Sequence, residues 1–93
     1  MNYHLRIKPE AQQDLAQAMD WYEDQKEGLS IEFLATIDKA LESIKANPSL
    51  FQERYREIRI VFTRRFPYGI HYTLEEDTIY VHAVLHTHRK PRG

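Results

Sequence analysis

Apolar residues recur along this chain with two different periods, and each period predicts a different kind of element. Residues 3–8 alternate apolar with polar side chains, which is typical of a half-buried strand. Residues 10 to about 26 place apolar side chains three or four positions apart, as an amphipathic helix does. A second stripe of this kind follows Ser30, which we predict to be the N-cap residue of the next helix. Gly28 ends the first helix, and the short connection predicts an antiparallel helix hairpin.

The second half of the chain has the period of strands. An Asn-Pro pair at 47–48 ends the second helix, because the residue before a proline is disfavoured in helical conformation. Three alternating segments follow at 58–63, 66–74 and 79–86, and Glu76-Asp77 is the predicted hairpin tip between the last two. The predicted order is one strand, two helices and a three-stranded antiparallel meander. The helix hairpin must then cover one face of the sheet, which makes a two-layer α+β domain.

Alternation also assigns each strand residue to one of two faces. The core face is predicted to carry Tyr3, Leu5, Ile7, Ile58, Ile60, Phe62, Tyr68, Ile70, Tyr72, Ile79, Val81 and Leu85. The opposite face, here called the outer face, is predicted to carry His4, Arg6, Lys8, Arg59, Arg65, His71, Thr73, Tyr80, His82 and His86, with His88 just beyond. All five histidines therefore fall on the predicted outer face.

The composition agrees with the predicted globular domain and excludes several kinds of functional site. The 93 residues predict a single domain, 1–93, and 42% apolar with 29% charged residues is an ordinary globular balance. The chain has no cysteine, which excludes disulfides, thiolate metal sites and a thiol nucleophile. No apolar run approaches the roughly 18 residues of a membrane span, and the start has no signal-peptide core. We therefore expect a cytoplasmic protein without membrane partners.

Charge is nearly balanced overall but unevenly distributed. The net charge is −1. Acidic residues dominate the first half and basic residues the second. The basic half suits a polyanion or an acidic peptide, and the alternative is scattered, solvated surface charge without a partner.

The histidines and arginines of the predicted outer face admit two interpretations. One is a solvated face of an antiparallel sheet, where polar residues belong whatever they do. The other is RNA cleavage by attack of a 2′-hydroxyl, which needs a base, an acid and a cation for the developing phosphorane charge. Arginine fits phosphate, and histidine can move protons near neutral pH, so such a face could supply these groups. We predict neither a metal site nor a cofactor, because no carboxylate is placed to complete a ligand set around the histidines.

Several short blocks lie in a fixed order along nearly the whole chain. They are Ala11, Asp14-Leu15, Trp21-Tyr22-Glu23, Gly28-Leu29, Phe33, Ala40-Leu41, Ile44, Asn47-Pro48, Ile58-Arg59, Phe66-Pro67-Tyr68-Gly69-Ile70-His71-Tyr72 and Val84-Leu85-His86-Thr87-His88-Arg89-Lys90-Pro91. In this order they resemble the RelE/ParE family of bacterial toxins, the poison half of type II toxin–antitoxin modules. The resemblance implies the fold predicted above.

The resemblance also implies two alternative activities, because RelE-like members are ribosome-dependent mRNA endonucleases and ParE-like members poison DNA gyrase. The ribonuclease pattern has basic residues on the strand after the helices, for which Arg59 qualifies, and an arginine after the last strand, for which Arg89 qualifies. It also has an arginine after the aromatic residue that opens the next strand, where this chain has Gly69, and often a closing tyrosine, where this chain ends at Gly93. Some ribonuclease members use histidine, so His71, His82, His86 or His88 could substitute for the missing residues.

The aromatic block at 66–72 and the ending at 86–91 look more like the ParE, plasmid-stabilisation branch. The resemblance therefore favours growth inhibition by binding gyrase, with an mRNA endonuclease acting on the ribosome as the alternative. The candidate phosphate binders and proton carriers of that endonuclease are Arg59, Arg65, His82, His86 and Arg89. The expected binding residues are Arg59, Arg65, His71, Arg89, Lys90 and Arg92. The implied partner is a cognate antitoxin whose disordered tail folds over the helix hairpin or the outer face, and the expected assembly is a homodimer or a toxin–antitoxin hetero-oligomer.

Overall fold

A computed structural model describes residues 3–88. Within this range the elements are β1 (His4–Ile7), α1 (Pro9–Gln25), α2 (Leu29–Ala46), β2 (Glu53–Tyr55), β3 (Ile58–Phe62), β4 (Tyr68–Glu75) and β5 (Thr78–His86). The predicted strand, helices and hairpin tip are confirmed. The short strand β2 was not predicted, because three residues are too few to show a period.

The five strands form one mixed sheet in the order β1-β5-β4-β3-β2. Strands β2 to β5 run as an antiparallel meander, and β1 lies parallel beside β5 at one edge. The two helices pack on one face of this sheet, which confirms the two-layer α+β architecture. None of the helices in the described residues is long and apolar enough to span a membrane.

The core lies between the helix hairpin and the sheet. Its helical part consists of Ala11, Ala18 and Tyr22 from α1 and Phe33, Ile37, Leu41 and Ile44 from α2. These residues recur at helical spacing, so each helix turns one apolar stripe towards the sheet. Burying one large apolar side chain contributes about 1.5–3 kcal/mol relative to leaving it exposed. The stripes are therefore the main reason the hairpin stays on the sheet.

The start of α2 differs from the prediction, since Ser30 is not its N-cap. Gly28 occupies that position with φ +85°, in the left-handed region that favours glycine. The carboxylate of Glu23, near the end of α1, accepts hydrogen bonds from the backbone N–H of Gly28 (2.9 Å) and of Ser30 (3.2 Å) and from the Ser30 hydroxyl (2.6 Å). Glu23 thus satisfies two N–H groups that the start of a helix leaves without partners.

The predicted faces of β3 are wrong. Val61 is buried in the core and lies opposite Ile70, whereas Ile58, Ile60 and Phe62 lie on the outer face. Phe62 is 50% exposed. Alternation fixes which residues share a face but not which face meets the core, and the longer apolar series was assigned to the core by default.

The predicted faces are also wrong at the end of β5, because a β-bulge reverses the alternation there. Val81 lies opposite Tyr72 and Ala83 lies opposite His71, so His82 is an extra residue without its own partner. Beyond the bulge Val84 joins the core, whereas Leu85 is buried on the outer face beside Gly69. His86, predicted for the outer face, is shifted to the helix side.

Candidate functional site

Arg59 lies on the helix side of β3, although the prediction placed it on the outer face. Its guanidinium donates hydrogen bonds to the carbonyl oxygens of Phe51 (2.6 Å) and Ser49 (3.4 Å) and lies 3.5 Å from the carboxylate of Glu53. Its side chain is 22% exposed. Arg59 therefore ties the segment after α2 to the sheet, and most of its donors are occupied by the protein itself.

Arg65 lies in the turn between β3 and β4, with φ +73°. It pairs with the carboxylate of Glu32 on α2 and lies 5.0 Å from the centre of the Phe66 ring. This exposed contact joins the turn to α2, and it places Arg65 on the helix side of the molecule.

His71 is on the outer face, as predicted, but it is only 5% exposed. Its Nδ1 lies 2.8 Å from the hydroxyl of Tyr55, and the two rings meet edge to face at 5.8 Å. The unpredicted strand β2 brings Tyr55 to this position. His71 is thus a buried, hydrogen-bonded residue between Ile60 and Ala83 of the neighbouring strands.

His82 lies on the outer face and is partly buried there. Its Nε2 lies 2.8 Å from the hydroxyl of Thr73. Burial lowers the pKa of His82 below its usual value, the positive charge of Lys8 lowers it further, and the carboxylates of Glu75 and Glu10 oppose both effects. The imidazole is therefore mainly neutral at pH 7.

His86 and His88 lie at the end of β5, next to α1. The backbone N–H of His88 donates to Nδ1 of His86 (3.2 Å), and the two rings are 5.3 Å apart. His86 also contacts the ring of Tyr68 at 5.6 Å and lines a groove with Trp21, which is 58% exposed. This pair is separated from His82 by the sheet.

Gly69 marks the place where the ribonuclease pattern has an arginine. A Cβ atom at Gly69 would lie 2.9 Å from Cγ2 of Ile60 and 3.4 Å from the ring of Phe62. Contacts under 3.0 Å require neighbouring atoms to shift, so a larger side chain does not fit here without rearrangement. Ile60 and Phe62 therefore close the outer face over Gly69, an arrangement missed because both were assigned to the core.

The candidate residues do not converge within the described part of the chain. Arg59, Arg65 and His86 lie on the helix side, and His71 and His82 lie on the outer face. Arg89, Lys90 and Arg92 lie outside the described residues. Residues 3–88 contain no group of three or more histidine or carboxylate side chains that would hold a metal ion.

Comparisons with known proteins identify the family. Residues 5–91 match the family model described as "ParE toxin of type II toxin-antitoxin system, parDE". A solved structure described as the chromosomal ParDE TA system from P. aeruginosa superposes with a TM-score of 0.79 at 15% identity, over 90% of this chain and 95% of that chain. No protein with a curated description matches the chain. Because the family match spans nearly the whole sequence, this chain belongs to the ParE toxins of type II toxin–antitoxin systems.

Proposed function

We propose that this toxin inhibits bacterial growth in the cytoplasm by binding DNA gyrase, without cleaving RNA, and that a cognate antitoxin neutralises it. Family membership supports the toxin role. The choice of gyrase over the ribosome depends on what the structure places at the positions of the ribonuclease pattern.

The closed outer face around Gly69 carries the proposal. Ile60 and Phe62 occupy the space into which an arginine at position 69 would project. Arg59, the basic residue on the preceding strand, points to the other side of the sheet and is held by two backbone carbonyls. Neither of these two positions therefore offers a free cation to a scissile phosphate. A ribonuclease needs such a cation to stabilise the negative charge that develops on the phosphate in the transition state.

The histidines support the same conclusion. General acid–base cleavage needs two proton carriers within hydrogen-bond reach of one substrate. His82 and His86 lie on opposite sides of the sheet, and His71 is buried against Tyr55. His86 and His88 are neighbours, but the described residues that line the groove beside His86 include the carboxylate of Asp14 and no cation that would bind a phosphate. The net charge of −1 also argues against a ribosomal RNA ligand, because phosphate contacts supply much of the affinity in such complexes.

Two assays with the purified protein distinguish the targets. We expect the toxin to inhibit supercoiling of relaxed plasmid by gyrase and to leave ribosome-bound mRNA intact. Replacing Arg89, Lys90 and Arg92 together by serine is expected to weaken gyrase inhibition, because this segment is our candidate contact. The matched control replaces Lys39 and Lys45 of α2 and Lys26, which directly follows α1, by serine. All three are exposed, and this variant is expected to retain inhibition.

The corresponding experiment in cells is inducible expression without antitoxin, with pulse-labelling of DNA and protein synthesis. DNA synthesis is expected to fall first. If translation stops first and mRNA is cut, the gyrase proposal is wrong and the endonuclease takes its place. In that case Arg89→Ala abolishes cleavage if the residues carried over from the ribonuclease pattern are the right ones.

The antitoxin part of the proposal is tested separately. Co-expression of the cognate antitoxin is expected to restore growth, and the two proteins are expected to elute together as a hetero-oligomer on size-exclusion chromatography. A toxin that kills equally in the presence of that protein contradicts neutralisation.

A further inference from the structure

A groove of about 190 Å³ lies between α1 and the end of β5. We call it the α1–β5 groove. Its volume is below the range of about 300–1,000 Å³ typical of small-molecule clefts, so it has room for one long side chain rather than a whole ligand. The residues that line it include Asp14, Gln17, Trp21, Tyr68, Val84 and His86.

The groove combines a carboxylate with aromatic rings. The carboxylate of Asp14 accepts a 3.0 Å hydrogen bond from the backbone N–H of Val84, which fixes its position beside β5. The rings of Trp21, Tyr68 and His86 line the same groove, and Trp21 is 58% exposed. None of the described residues that line it is a lysine or an arginine. A carboxylate next to aromatic rings suits a guanidinium or ammonium group, which it binds by ion pairing and by cation–π contact.

The helix that forms one wall of the groove strengthens this preference for a cation. α1 contains five carboxylates, Glu10, Asp14, Asp20, Glu23 and Asp24, and no lysine or arginine. The summed field of these charges favours a basic ligand on this side of the molecule and disfavours an acidic one. A nucleic acid or an acidic peptide is therefore an unsuitable occupant of the groove.

The path of the chain brings a basic segment to this groove. β5 ends at His86 and a turn follows, in which the His88 N–H donates to Nδ1 of His86 (3.2 Å). One edge of β5 is taken by β4, since the N–H of Thr87 donates to the carbonyl oxygen of Pro67 (2.8 Å). The other edge is paired with β1 only as far as Val81, and α1 flanks it beyond that point. The chain that follows His88 therefore starts beside the α1–β5 groove.

We propose that segment 89–92 docks in the α1–β5 groove of its own chain, with the Arg89 guanidinium paired to Asp14 and stacked on Trp21. The segment has three cations and no carboxylate, which complements the charge of α1. Arg89 follows His86 by three positions, so its Cα lies within about 11 Å of the Cα of that residue. Because the segment is tethered beside the groove, its effective concentration is high and a modest contact is enough to hold it.

For its meaning in the cell this inference rests on the proposed function, because segment 89–92 is our candidate contact with gyrase. In the docked state α1 neutralises part of the charge of the segment, so gyrase has to displace it from the groove. The docking itself is measured on the purified toxin alone. Its failure and the failure of gyrase inhibition are therefore separate results.

Trp21 reports on the groove because it is the only tryptophan of the chain. Quenching of its fluorescence by acrylamide, an uncharged probe, measures the exposure of the indole ring. Replacing all three cations of segment 89–92 by serine is expected to raise the quenching constant, since the ring loses its cover. The control replaces Lys26, Lys39 and Lys45 by serine, removes the same charge outside the groove and is expected to keep the wild-type constant. Equal constants in the wild type and the segment variant would overturn the proposal.

Asp14→Asn tests the partner of the segment within the groove. The amide oxygen still accepts the Val84 N–H, but the charge is lost. In this background the serine variant of segment 89–92 is expected to add little to the quenching constant, whereas in Asp20→Asn, on α1 outside the groove, it is expected to keep its full effect. Thermal unfolding of each variant separates undocking from lost folding. An undiminished effect in Asp14→Asn would show that the segment pairs elsewhere and would overturn the proposal.

Salt and protein concentration distinguish the remaining explanations. Raising the salt concentration to about 1 M shortens the Debye length to about 3 Å, so wild-type quenching is expected to approach that of the serine variant. The wild-type constant is expected not to change with toxin concentration, because groove and segment belong to one chain. A constant that falls as the concentration rises would place the segment of a second copy in the groove, and docking within one chain would then be wrong.

Discussion

The hydroxyl of Tyr72 donates a 2.5 Å hydrogen bond to the carbonyl oxygen of Pro48, and both residues are fully buried. Tyr72 is in the middle of β4, and Pro48 follows the last turn of α2. The bond therefore fixes where the chain leaves the helical layer. It also provides a partner for a carbonyl that burial would otherwise leave unsatisfied.

Removing the Tyr72 hydroxyl is expected to destabilise the fold. Tyr72→Phe keeps the ring but leaves the Pro48 carbonyl without its partner, so the free energy of unfolding is expected to fall by about 1–3 kcal/mol. Urea unfolding followed by far-UV circular dichroism measures this change. Tyr80→Phe on β5 is the control, since the Tyr80 hydroxyl has no hydrogen bond to a described residue, and its expected change is within about 0.5 kcal/mol. Equal losses in the two variants would contradict the role of the bond.

The same hydroxyl predicts a loss of stability at high pH. Burial raises the pKa of Tyr72 from 10.0 to about 12, although the positive charge of Arg59 partly opposes it. Between these two values the unfolded chain has released the proton and the folded chain retains it, so the free energy of unfolding falls as pH rises. We expect Tyr72→Phe to show a smaller fall than the wild type over this interval. Parallel pH dependences would contradict the assignment.

The β2–β3 hairpin contains avoidable strain. Its two turn residues, Arg56 and Glu57, have φ of +44° and +65°. A type I′ turn requires positive φ at both central positions and favours Asn-Gly there. A side chain in this conformation costs about 1–2 kcal/mol. Glu57→Gly is therefore expected to raise the free energy of unfolding by about 1 kcal/mol, whereas Glu57→Ala, which keeps the Cβ, gains little. A gain of the same size in both variants would point to charge rather than backbone strain.

The helices were predictable because their signal is repeated and local. Residues such as Phe33, Ile37, Leu41 and Ile44 recur over several turns, and one misleading position does not change the period. Helix capping was less predictable. Ser30 is a good N-cap type, but Glu23, seven residues earlier, already supplies the acceptors.

The faces of the strands were less predictable, because alternation divides a strand into two sets of residues and does not say which set faces the core. In β3 both sets contain apolar residues, and only the pairing of Val61 with Ile70 on β4 shows which set faces the core. In β5 the bulge at His82 changes the phase within the strand and moves Val84, Leu85 and His86 to new faces. A bulge depends on the partner strand, so β5 alone gives no sign of it.

The candidate site was the least predictable part. Residue types suggested phosphate binding by Arg59 and Arg65, but whether a cation is free depends on distant neighbours. Arg65 pairs with Glu32, which is 33 positions away, and Arg59 binds carbonyls that only the folded chain brings near.

Glu23 is expected to make the helix hairpin sensitive to acid. The Ser30 hydroxyl, followed by the backbone N–H groups of Gly28 and Ser30, lowers the pKa of Glu23 below 4.5. Its contribution to stability is therefore present above about pH 4.5 and is lost as pH falls through the folded-state pKa. We expect Glu23→Gln to be less stable than the wild type at pH 7, with a difference that shrinks in acid. Asp20→Asn, an exposed residue of the same helix without a partner in residues 3–88, is expected to show no such trend.

The closure of the outer face over Gly69 is testable by a double-mutant cycle. Gly69→Ala places a methyl group 2.9 Å from Cγ2 of Ile60, and we expect it to lower the free energy of unfolding by about 1–3 kcal/mol. Ile60→Ala removes that Cγ2 atom, so in this background Gly69→Ala is expected to cost little. The coupling energy between the two sites is expected to exceed about 0.5 kcal/mol in chemical denaturation.

Val61→Ala provides the control background for this cycle, because Val61 neighbours Ile60 but points into the core on the other face. There Gly69→Ala is expected to keep its full cost. If instead Gly69→Ala is harmless in the wild type, the outer face has room at position 69 after all. The principal structural reason for excluding a ribonuclease would then be gone, so this stability measurement also bears on the choice between gyrase and mRNA.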